Sequence, residues 1–256
     1  MKKELCIGLL IILIVIILFI YRQNNDINID LSKYEKKIYS QNGEDGITIK
    51  LIETIYTNPN NKYYVEFGVE SGSECNTRIL REKYNWDGLL MDGSNENNSI
   101  NLRKEFITRE NIIYLFKKYK VPKYINLLCI DLDFNDHYIL KKILPEYRTD
   151  IIICEYNSSH KPQENKVVKY DANYMWDGTN YFGASLLAFQ KLLNKYNYSL
   201  VYCDKMGVNC FFIHNDIIRM YNLKFKNINN CKLLYNPPYG GGHIQDPKNR
   251  TYVSYN

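Results

Sequence analysis

Two aspartates near the middle of the sequence have the spacing of a site for a cation or for proton transfer. Asp131 and Asp133 end the apolar run of "YINLLCIDLD", and residues two apart on a strand point the same way, with Cα atoms roughly 6.5 to 7 Å apart. Glu155 and Asn157 follow the next such run, in "DIIICEYN". Oxygen ligands of this kind bind Mg²⁺ or Mn²⁺, and a bound metal acidifies a hydroxyl. The alternative is that these side chains cap loops by accepting hydrogen bonds from backbone amides.

A glycine-punctuated turn after an earlier apolar run predicts a second functional region. "YYVEFGVESGSECNT" ends its run on Glu66 and then places Gly68, Glu70 and Gly72 ahead of a predicted helix. Ligands of open α/β sheets bind beyond the carboxyl ends of the strands, where glycines allow the backbone to approach them closely. Taken alone, the pattern favours an ordinary strand-to-helix turn over a ligand site.

A third carboxylate strengthens the ligand interpretation of this turn. Asp92, followed by Gly93, ends the run of "WDGLLMDG", twenty-six residues after Glu66. An acidic residue near this separation binds ribose hydroxyls in dinucleotide-binding folds. The two strand ends together therefore predict a site for a ligand that contains a nucleoside.

Four histidines provide further candidates for acid–base chemistry. His137 comes directly after the acidic turn "DLDFND" and His160 follows "EYNSS", so either is a candidate base for an acceptor hydroxyl. His214 is expected to cap the last strand, and His243 lies in a loop-like tail. For each of the four, a structural role is the favoured alternative.

The positions of these residues depend on a sheet that the apolar pattern predicts. "YYVEFGV", "WDGLLMDG", "YINLLCIDLD" and "DIIICEY" are nearly continuous in apolar residues, as in parallel strands covered on both faces. Helical patterns separate them, and "NENNSINLRKE" predicts a short helix before a possible edge strand at "FIT". "YSLVYCDKMGVNCFFIH" has two strand-like runs too close for a crossover helix, so the last two strands are predicted to be antiparallel. The fold class is therefore α/β, doubly wound and mostly parallel.

A loop ahead of a predicted amphipathic helix adds aromatic and hydrogen-bonding groups. In "YMWDGTNYFGAS" these groups are Trp176, Asp177, Asn180 and Tyr181. They are predicted to form a lid on the acceptor side of the site, with a packed surface loop as the alternative.

Several blocks, in this order, resemble the FkbM-like S-adenosylmethionine-dependent methyltransferases. They are "SQNGEDG", "YVEFGVESGSECNTRIL", "WDGLLMDGS", "NLLCIDLDFND", "IIICEYNSS", "NYFGASLLAFQKLLNKYNYSLV" and "GVNCFFI", between about Tyr39 and about His214. The resemblance implies a Rossmann-like seven-stranded sheet with a reversed last strand, and methylation of hydroxyls of sugars or natural products. The third-strand region is shorter than in the family, which leaves the adenine wall unassigned.

The resemblance also implies a binding site for S-adenosylmethionine. Glu66, Gly68 and Gly72 would line its methionine and ribose parts, while Asp92 would bind the ribose. The predicted cofactor site comprises Glu66, Gly68, Glu70, Gly72, Asp92, Gly93 and Asp131. The predicted catalytic residues are Asp131, Asp133, Glu155, His137 and His160, and the predicted metal ligands are Asp131, Asp133, Glu155 and Asn157.

The N-terminus predicts a membrane anchor. Residues 5–21 are seventeen residues without a charge, which as a helix would be roughly 25 Å long, close to the thickness of a thin bilayer. A cleaved signal peptide is disfavoured because no small-residue cleavage site follows. The predicted organisation is an anchor over residues 1–21, a stalk over 22–38, a methyltransferase-like domain over 39–235 and a loop-like tail over 236–256. Basic residues on both sides of the apolar run leave the orientation open.

Composition excludes few functions but disfavours nucleic acid as a partner. The chain has 33 basic and 28 acidic side chains, a net charge of only +5, and its lysines do not form a dense basic tract. The expected partners are a lipid bilayer, contacted through residues 5–21, and a small-molecule or glycan acceptor. Two alternatives to the methyltransferase remain: a metal-dependent nucleotide-sugar glycosyltransferase, and a catalytically silent membrane adaptor with the same fold.

Overall fold

The computed structural model describes residues 28–255, which build a seven-stranded sheet with helices on both faces. The strands follow one another across the sheet in the order β3-β2-β1-β4-β5-β7-β6. Their bounds are β1 Tyr63–Phe67, β2 Asp87–Asp92, β3 Leu102–Lys104, β4 Tyr124–Ile130, β5 Arg148–Glu155, β6 Tyr198–Cys203 and β7 Asn209–His214.

Strand pairing follows the apolar pattern of the sequence. β1 pairs in parallel with β2 and β4, β2 with β3, and β4 with β5. β7 is antiparallel to both β5 and β6, because the short β6–β7 connection leaves no room for a crossover helix. The predicted mostly parallel seven-stranded sheet with a reversed last strand is confirmed. β1 to β5 all end at the same edge, which we call the carboxyl edge.

Helices cover both faces, so the doubly wound arrangement is also confirmed. The helices are α1 Glu44–Ile55, α2 Arg78–Tyr84, α3 Ile112–Lys118, α4 Asp136–Ile143, α5 Leu186–Lys195, α6 Asn215–Met220 and α7 Cys231–Leu234. One core packs β-strand residues against α3, α4 and α5, and the other packs them against α1, α2 and α6. Neighbours in β4 alternate between the cores, since Leu127 and Cys129 face one and Leu128 faces the other.

The described part of the predicted stalk packs on the domain. Ile29 forms a bridge with Phe225, and Leu31 is buried. A Cβ atom at Gly46 would lie 1.9 Å from the carbonyl oxygen of Tyr34, so only glycine lets α1 approach this segment so closely. Residues from Ile29 onward therefore contact the domain directly.

No helix within residues 28–255 is long and apolar enough to cross a membrane. The predicted anchor over residues 1–21 lies outside the described residues, so the structure does not test it.

The C-terminal tail folds back over the loop between β5 and α5. Val253 bridges Val167, and Ile244 bridges Thr179. Apart from a short 3-10 helix at Tyr239–Gly241, the described tail has no helix or long strand. Its hydrogen bonds nevertheless fix it against residues near the carboxyl edge.

Candidate functional site at the carboxyl edge

The strand order reverses between β1 and β4, and this is where open α/β sheets bind ligands. Gly68 follows β1 with a φ of +68°, and a Cβ atom there would lie 1.6 Å from the carbonyl oxygen of Asp131. Glycine was expected at this position to let a ligand approach. The contact shows a different reason, since glycine first lets the ends of β1 and β4 approach each other.

Glu66 lies beneath the turn and stabilises it. Its side chain is buried, and one carboxylate oxygen accepts a hydrogen bond of 2.8 Å from the Asn76 amide. The other oxygen accepts from the Thr77 amide at 2.9 Å and from the Thr77 hydroxyl at 2.5 Å. Burial raises the pKa of Glu66, and these hydrogen bonds partly oppose the increase. Glu66 thus ties the turn to the start of α2, the role of a loop-capping carboxylate.

The turn also connects β1 to β2. Glu70, exposed and with a φ of +48°, donates its backbone N–H to Asp92 Oδ2 at 2.9 Å. Gly72 is buried, and a Cβ atom there would lie 2.7 Å from Ile100 Cδ1. Gly72 therefore packs against the protein, whereas Glu70 faces the open side of the carboxyl edge.

The two oxygens of the Asp92 carboxylate accept different numbers of hydrogen bonds. Its Oδ1 accepts hydrogen bonds from the Ser94 amide at 2.8 Å, the Asn95 amide at 2.9 Å and the Asn95 side chain at 3.0 Å. Within residues 28–255, its Oδ2 accepts only from the backbone N–H of Glu70. A carboxylate oxygen accepts about two hydrogen bonds, so Oδ2 retains capacity for a ligand hydroxyl.

An aromatic side chain missed by the sequence analysis lies beside Asp92. Phe106 is 49% exposed and would be 3.7 Å from a Cβ atom at the exposed Gly93. It follows β3, where the backbone of Glu105 donates to the Asp92 carbonyl at 2.8 Å. Its exposure is the only signal, and exposure is not readable from the sequence.

The predicted carboxylate cluster is present at the ends of β4 and β5. Asp131, Asp133 and Glu155 each offer an oxygen within 4.8 Å of the other two. Burial raises the pKa of Asp131 and of Glu155, and the neighbouring carboxylates raise both further. Asp133 is the exposed member of the three. Asp133 has a φ of +61°, a backbone conformation that aspartate tolerates better than most residues. We call these three residues the acidic cluster.

A fourth acid, Asp136, lies against the acidic cluster and was also missed. Its Oδ1 accepts a hydrogen bond of 2.7 Å from the Leu132 amide, while its buried Oδ2 has no partner within the described residues. Burial raises the pKa of Asp136 to about 7. Its charge in turn raises the pKa of Asp131 and Glu155.

Asn157, predicted as a metal ligand, is engaged in loop structure. Its amide nitrogen donates to the carbonyl oxygens of Asn180 at 2.8 Å and Phe182 at 2.9 Å. Its Oδ1 accepts from the Ser159 amide at 3.1 Å. The side chain therefore holds the loop before α5 against the end of β5.

The two histidines predicted as bases are packed inside the domain. His137 is buried against the rings of Phe189 and Tyr255, and burial lowers its pKa to about 4. His160 is buried against Tyr252, and burial lowers its pKa to about 4 as well. Both environments disfavour the protonated ring that a base must form during proton transfer. Sequence position after a strand end was therefore a poor guide to their exposure.

A cavity of about 670 Å³ opens between the loop that follows β5 and the C-terminal tail. Phe134, the residue after Asp133, forms part of its wall and stacks on Tyr174 with ring centroids 3.9 Å apart. Tyr181 of the predicted lid also lines it, and Arg250 closes one side through ion pairs with Asp177 and Asp246. The other lining residues are Lys169, Tyr170, Asp171, Ala172, Asn249 and Thr251.

Comparisons with known proteins identify no family for this chain. No protein-family model matches the sequence, and no curated protein matches it. The resemblance to FkbM-like methyltransferases therefore stays a prediction.

Similar solved structures are distant. A "putative S-adenosylmethionine dependent methyltransferase from Listeria monocytogenes" has a TM-score of 0.40 and 11% identity, over 64% of this chain and 96% of that chain. A "putative hemolysin from Lactococcus lactis" has a TM-score of 0.40 and 12% identity, over 69% and 89%. A "SAM dependent methyltransferase from Aquifex aeolicus" has a TM-score of 0.32 and 9% identity, over 64% and 86%. Likenesses this distant carry no argument about function, which depends on the site itself.

Proposed function

We propose that the chain is an S-adenosylmethionine-dependent methyltransferase that methylates a hydroxyl of a glycan or a related small molecule. The observation that carries the proposal is the 2.9 Å hydrogen bond from the Glu70 amide to Asp92 Oδ2. It places a carboxylate oxygen with spare accepting capacity next to the β1 turn, beside the point where the strand order reverses. A ribose hydroxyl and the rest of a nucleoside cofactor fit this combination.

The surrounding side chains are consistent with such a cofactor. Glu70 and Gly93 are exposed at the carboxyl edge, and Phe106 offers an aromatic face to a base near Gly93. Asp92 would accept from the ribose, with Glu70 and Gly93 at the sides. When bound, S-adenosylmethionine supplies a methyl group on a sulfonium ion, which is the electrophile of the reaction.

The acidic cluster is suited to a divalent cation. Three carboxylates within 4.8 Å concentrate negative charge that a cation would neutralise. The nearby Oδ2 of Asp136, which has no hydrogen-bond partner among the described residues, adds to this charge. Oxygen donors are the ligands that Mg²⁺ and Mn²⁺ prefer. We propose that Asp131, Asp133 and Glu155 hold this ion, which would lower the pKa of the acceptor hydroxyl. Asn157 is left out because its amide holds the neighbouring loop.

The acceptor is assigned to the cavity next to Phe134. Its volume of about 670 Å³ lies within the usual range for small-molecule sites. Aromatic walls with scattered polar groups suit a ring that carries hydroxyls. A lipid bilayer contacted through residues 5–21 is proposed as the location of the enzyme, and nucleic acid is not expected as a partner.

Calorimetry with the full-length chain in detergent tests the proposal. S-adenosylhomocysteine should bind, and Asp92→Ala should weaken binding by roughly 1.5 to 3 kcal/mol, the cost of losing hydrogen bonds to a charged group. Asp87→Ala is the matched control, because this exposed residue begins the same strand at the opposite edge. Absence of binding, or equal losses in the two variants, would contradict the proposed cofactor site.

A second candidate is a metal-dependent nucleotide-sugar glycosyltransferase. It is favoured by the carboxylates of Asp131 and Asp133, which are separated by one residue and lie close to Glu155. A UDP-sugar with Mn²⁺ is therefore titrated in parallel. Binding of the UDP-sugar without binding of S-adenosylhomocysteine would replace the methyltransferase by this candidate. Binding of S-adenosylhomocysteine by a chain that never transfers a methyl group would instead favour the silent adaptor.

A further inference from the structure

The C-terminal tail brings a histidine to the carboxyl end of β5. The Asn180 amide donates to the Ile244 carbonyl at 2.8 Å. A Cβ atom at Gly242 would lie 3.8 Å from Ser159 Oγ, in the loop that follows Glu155. His243, between Gly242 and Ile244, is thus held next to the end of the strand that carries Glu155.

Two aromatic rings orient the imidazole of His243. Its ring centroid lies 4.6 Å from that of Trp176, at an interplanar angle of 77°, and 5.4 Å from that of Phe182, at 88°. The Trp176 indole is itself fixed by a hydrogen bond of 2.8 Å to the Thr179 carbonyl. Edge-to-face contacts position a ring without using its nitrogens. His243 is exposed, so its nitrogens remain available to a ligand.

His243 also lies close enough to Asp133 to interact with its charge. A protonated His243 would lower the pKa of Asp133, so the two side chains are electrostatically coupled. His243 is nevertheless outside the group of ligand atoms that lie within 4.8 Å of one another. His243 is therefore a separate group beside the acidic cluster, whereas His137 and His160 are enclosed by aromatic rings.

We propose that His243 is the catalytic base of the reaction, an assignment that rests on the proposed methyltransferase function. His243 takes the proton of the acceptor hydroxyl while the hydroxyl oxygen forms its bond to the methyl carbon and the carbon–sulfur bond breaks. The electron pair of that bond stays on sulfur, which becomes a neutral thioether. Trp176 and Phe182 act as positioning residues for the ring.

The first test locates His243 without requiring turnover. The full-length chain in detergent is treated with diethyl pyrocarbonate, and modification of His243 is followed by peptide mass spectrometry. Sinefungin, in which an amine-bearing carbon replaces the sulfonium sulfur so that the amine stands where the methyl group would be, should slow modification of His243 at least fivefold. Adenosine fills only the nucleoside end and should not. Equal rates with and without bound sinefungin, or equal protection by adenosine, would overturn the assignment.

The second test measures the proton-transfer role. Release of S-adenosylhomocysteine from S-adenosylmethionine, with water as the acceptor, should fall about 10²-fold in His243→Gln, the usual scale for one acid–base group. Sinefungin affinity should stay within twofold, and His160→Gln is the matched control with an unchanged rate. An unchanged rate in His243→Gln contradicts this inference alone. A chain that binds neither sinefungin nor S-adenosylhomocysteine contradicts the proposed function instead.

Discussion

The carboxylates at the ends of β1 and β2 differ in their surroundings from those at the ends of β4 and β5. Glu66 and Asp92 accept hydrogen bonds on both oxygens from the turns that follow their strands. Asp131, Asp133 and Glu155 lie within 4.8 Å of one another instead. Protein donors therefore stabilise negative charge in the first region, whereas the acidic cluster needs a proton or a cation to do so.

The difference separates positioning carboxylates from reactive ones. In the sequence all five look alike, as acids that end apolar runs. A carboxylate that is hydrogen-bonded on both oxygens fixes the backbone around it. Crowded carboxylates that raise one another's pKa values raise the free energy of the fold, and such arrangements concentrate at functional sites. We therefore expect substitutions in the two regions to affect different measurements.

Asp133→Asn should give the largest effect on turnover. It removes one oxygen ligand and one negative charge from the acidic cluster, so release of S-adenosylhomocysteine with water as acceptor should fall by about 10²-fold or more. Affinity for S-adenosylhomocysteine should change little, since Asp92 lies at a different strand end. EDTA should reproduce the loss in the unaltered chain, and Mg²⁺ or Mn²⁺ should reverse it. Full activity of the variant after chelation would make the acidic cluster structural.

Glu66→Gln should reduce stability rather than activity per folded molecule. The amide of glutamine offers one acceptor where the turn presents the amides of Asn76 and Thr77 and the Thr77 hydroxyl. We expect the free energy of unfolding to fall by about 2 kcal/mol, measured by chemical denaturation. Asp133→Asn is the contrasting control and should be neutral or stabilising, because it relieves repulsion within the cluster. Similar losses in both variants would remove the distinction between the two regions.

Much of the sheet was predictable from the sequence because buried parallel strands are continuous in apolar residues. β3 was not. A short helix was expected over "NENNSINLRKE", and a 3-10 helix does lie there at Asn98–Ile100. The strand expected at "FIT" was wrong, because the strand is Leu102–Lys104. Only Leu102 of this edge strand is fully buried, so three residues gave no periodic signal. Because β3 was misplaced, the sequence also did not predict that Phe106 would lie beside Gly93 at the site.

The acids of the site were predictable because they end strong strands, but their partners were not. Which of them meet backbone donors depends on turn geometry, as with Glu66 and Thr77. The sequence around Asp136 and His243 does not indicate that they lie near the site. Asp136 belongs to the first turn of α4. His243 comes close only because the C-terminal tail packs on the loop before α5, where the Asn180 amide donates to the Ile244 carbonyl. The burial of His137 and His160, which argues against a role as bases, was likewise not readable from the sequence. Tertiary packing, not residue type, made these distinctions.

The pH dependence of stability should be visible if the acidic cluster has no cation. Asp136 has its folded pKa raised to about 7 from 3.8, so its favourable contribution is complete below the unfolded pKa and is lost as the pH rises through about 7. Between pH 5.5 and pH 8 we expect a loss of about 2 kcal/mol, since about 1.5 pH units of this window lie below the folded pKa and each unit corresponds to about 1.4 kcal/mol. Thermal unfolding in detergent with EDTA measures this loss. Mg²⁺ should reduce it, and Asp136→Asn should flatten the profile. If the stability of the unaltered chain did not change with pH, the charge in the acidic cluster would already be compensated, and this prediction would be wrong.

Phe106→Ala should have the smallest effect of these variants. It should lower only the affinity for the cofactor, which is proposed to bind at the ends of β1 and β2. The exposed ring of Phe106 is proposed to stack on the base of the cofactor, and such contacts contribute about 1 kcal/mol beyond the area they bury. Affinity for S-adenosylhomocysteine should therefore fall by roughly five- to tenfold. Adenosine, which contains the base but no amino acid part, should lose affinity by the same factor. Tyr114→Ala is the matched control, because this exposed aromatic side chain lies on α3 and not in the segment that follows β3. If Asp92→Ala lost affinity and Phe106→Ala did not, Asp92 would still be assigned to the ribose. The base of the cofactor would then have to bind another surface.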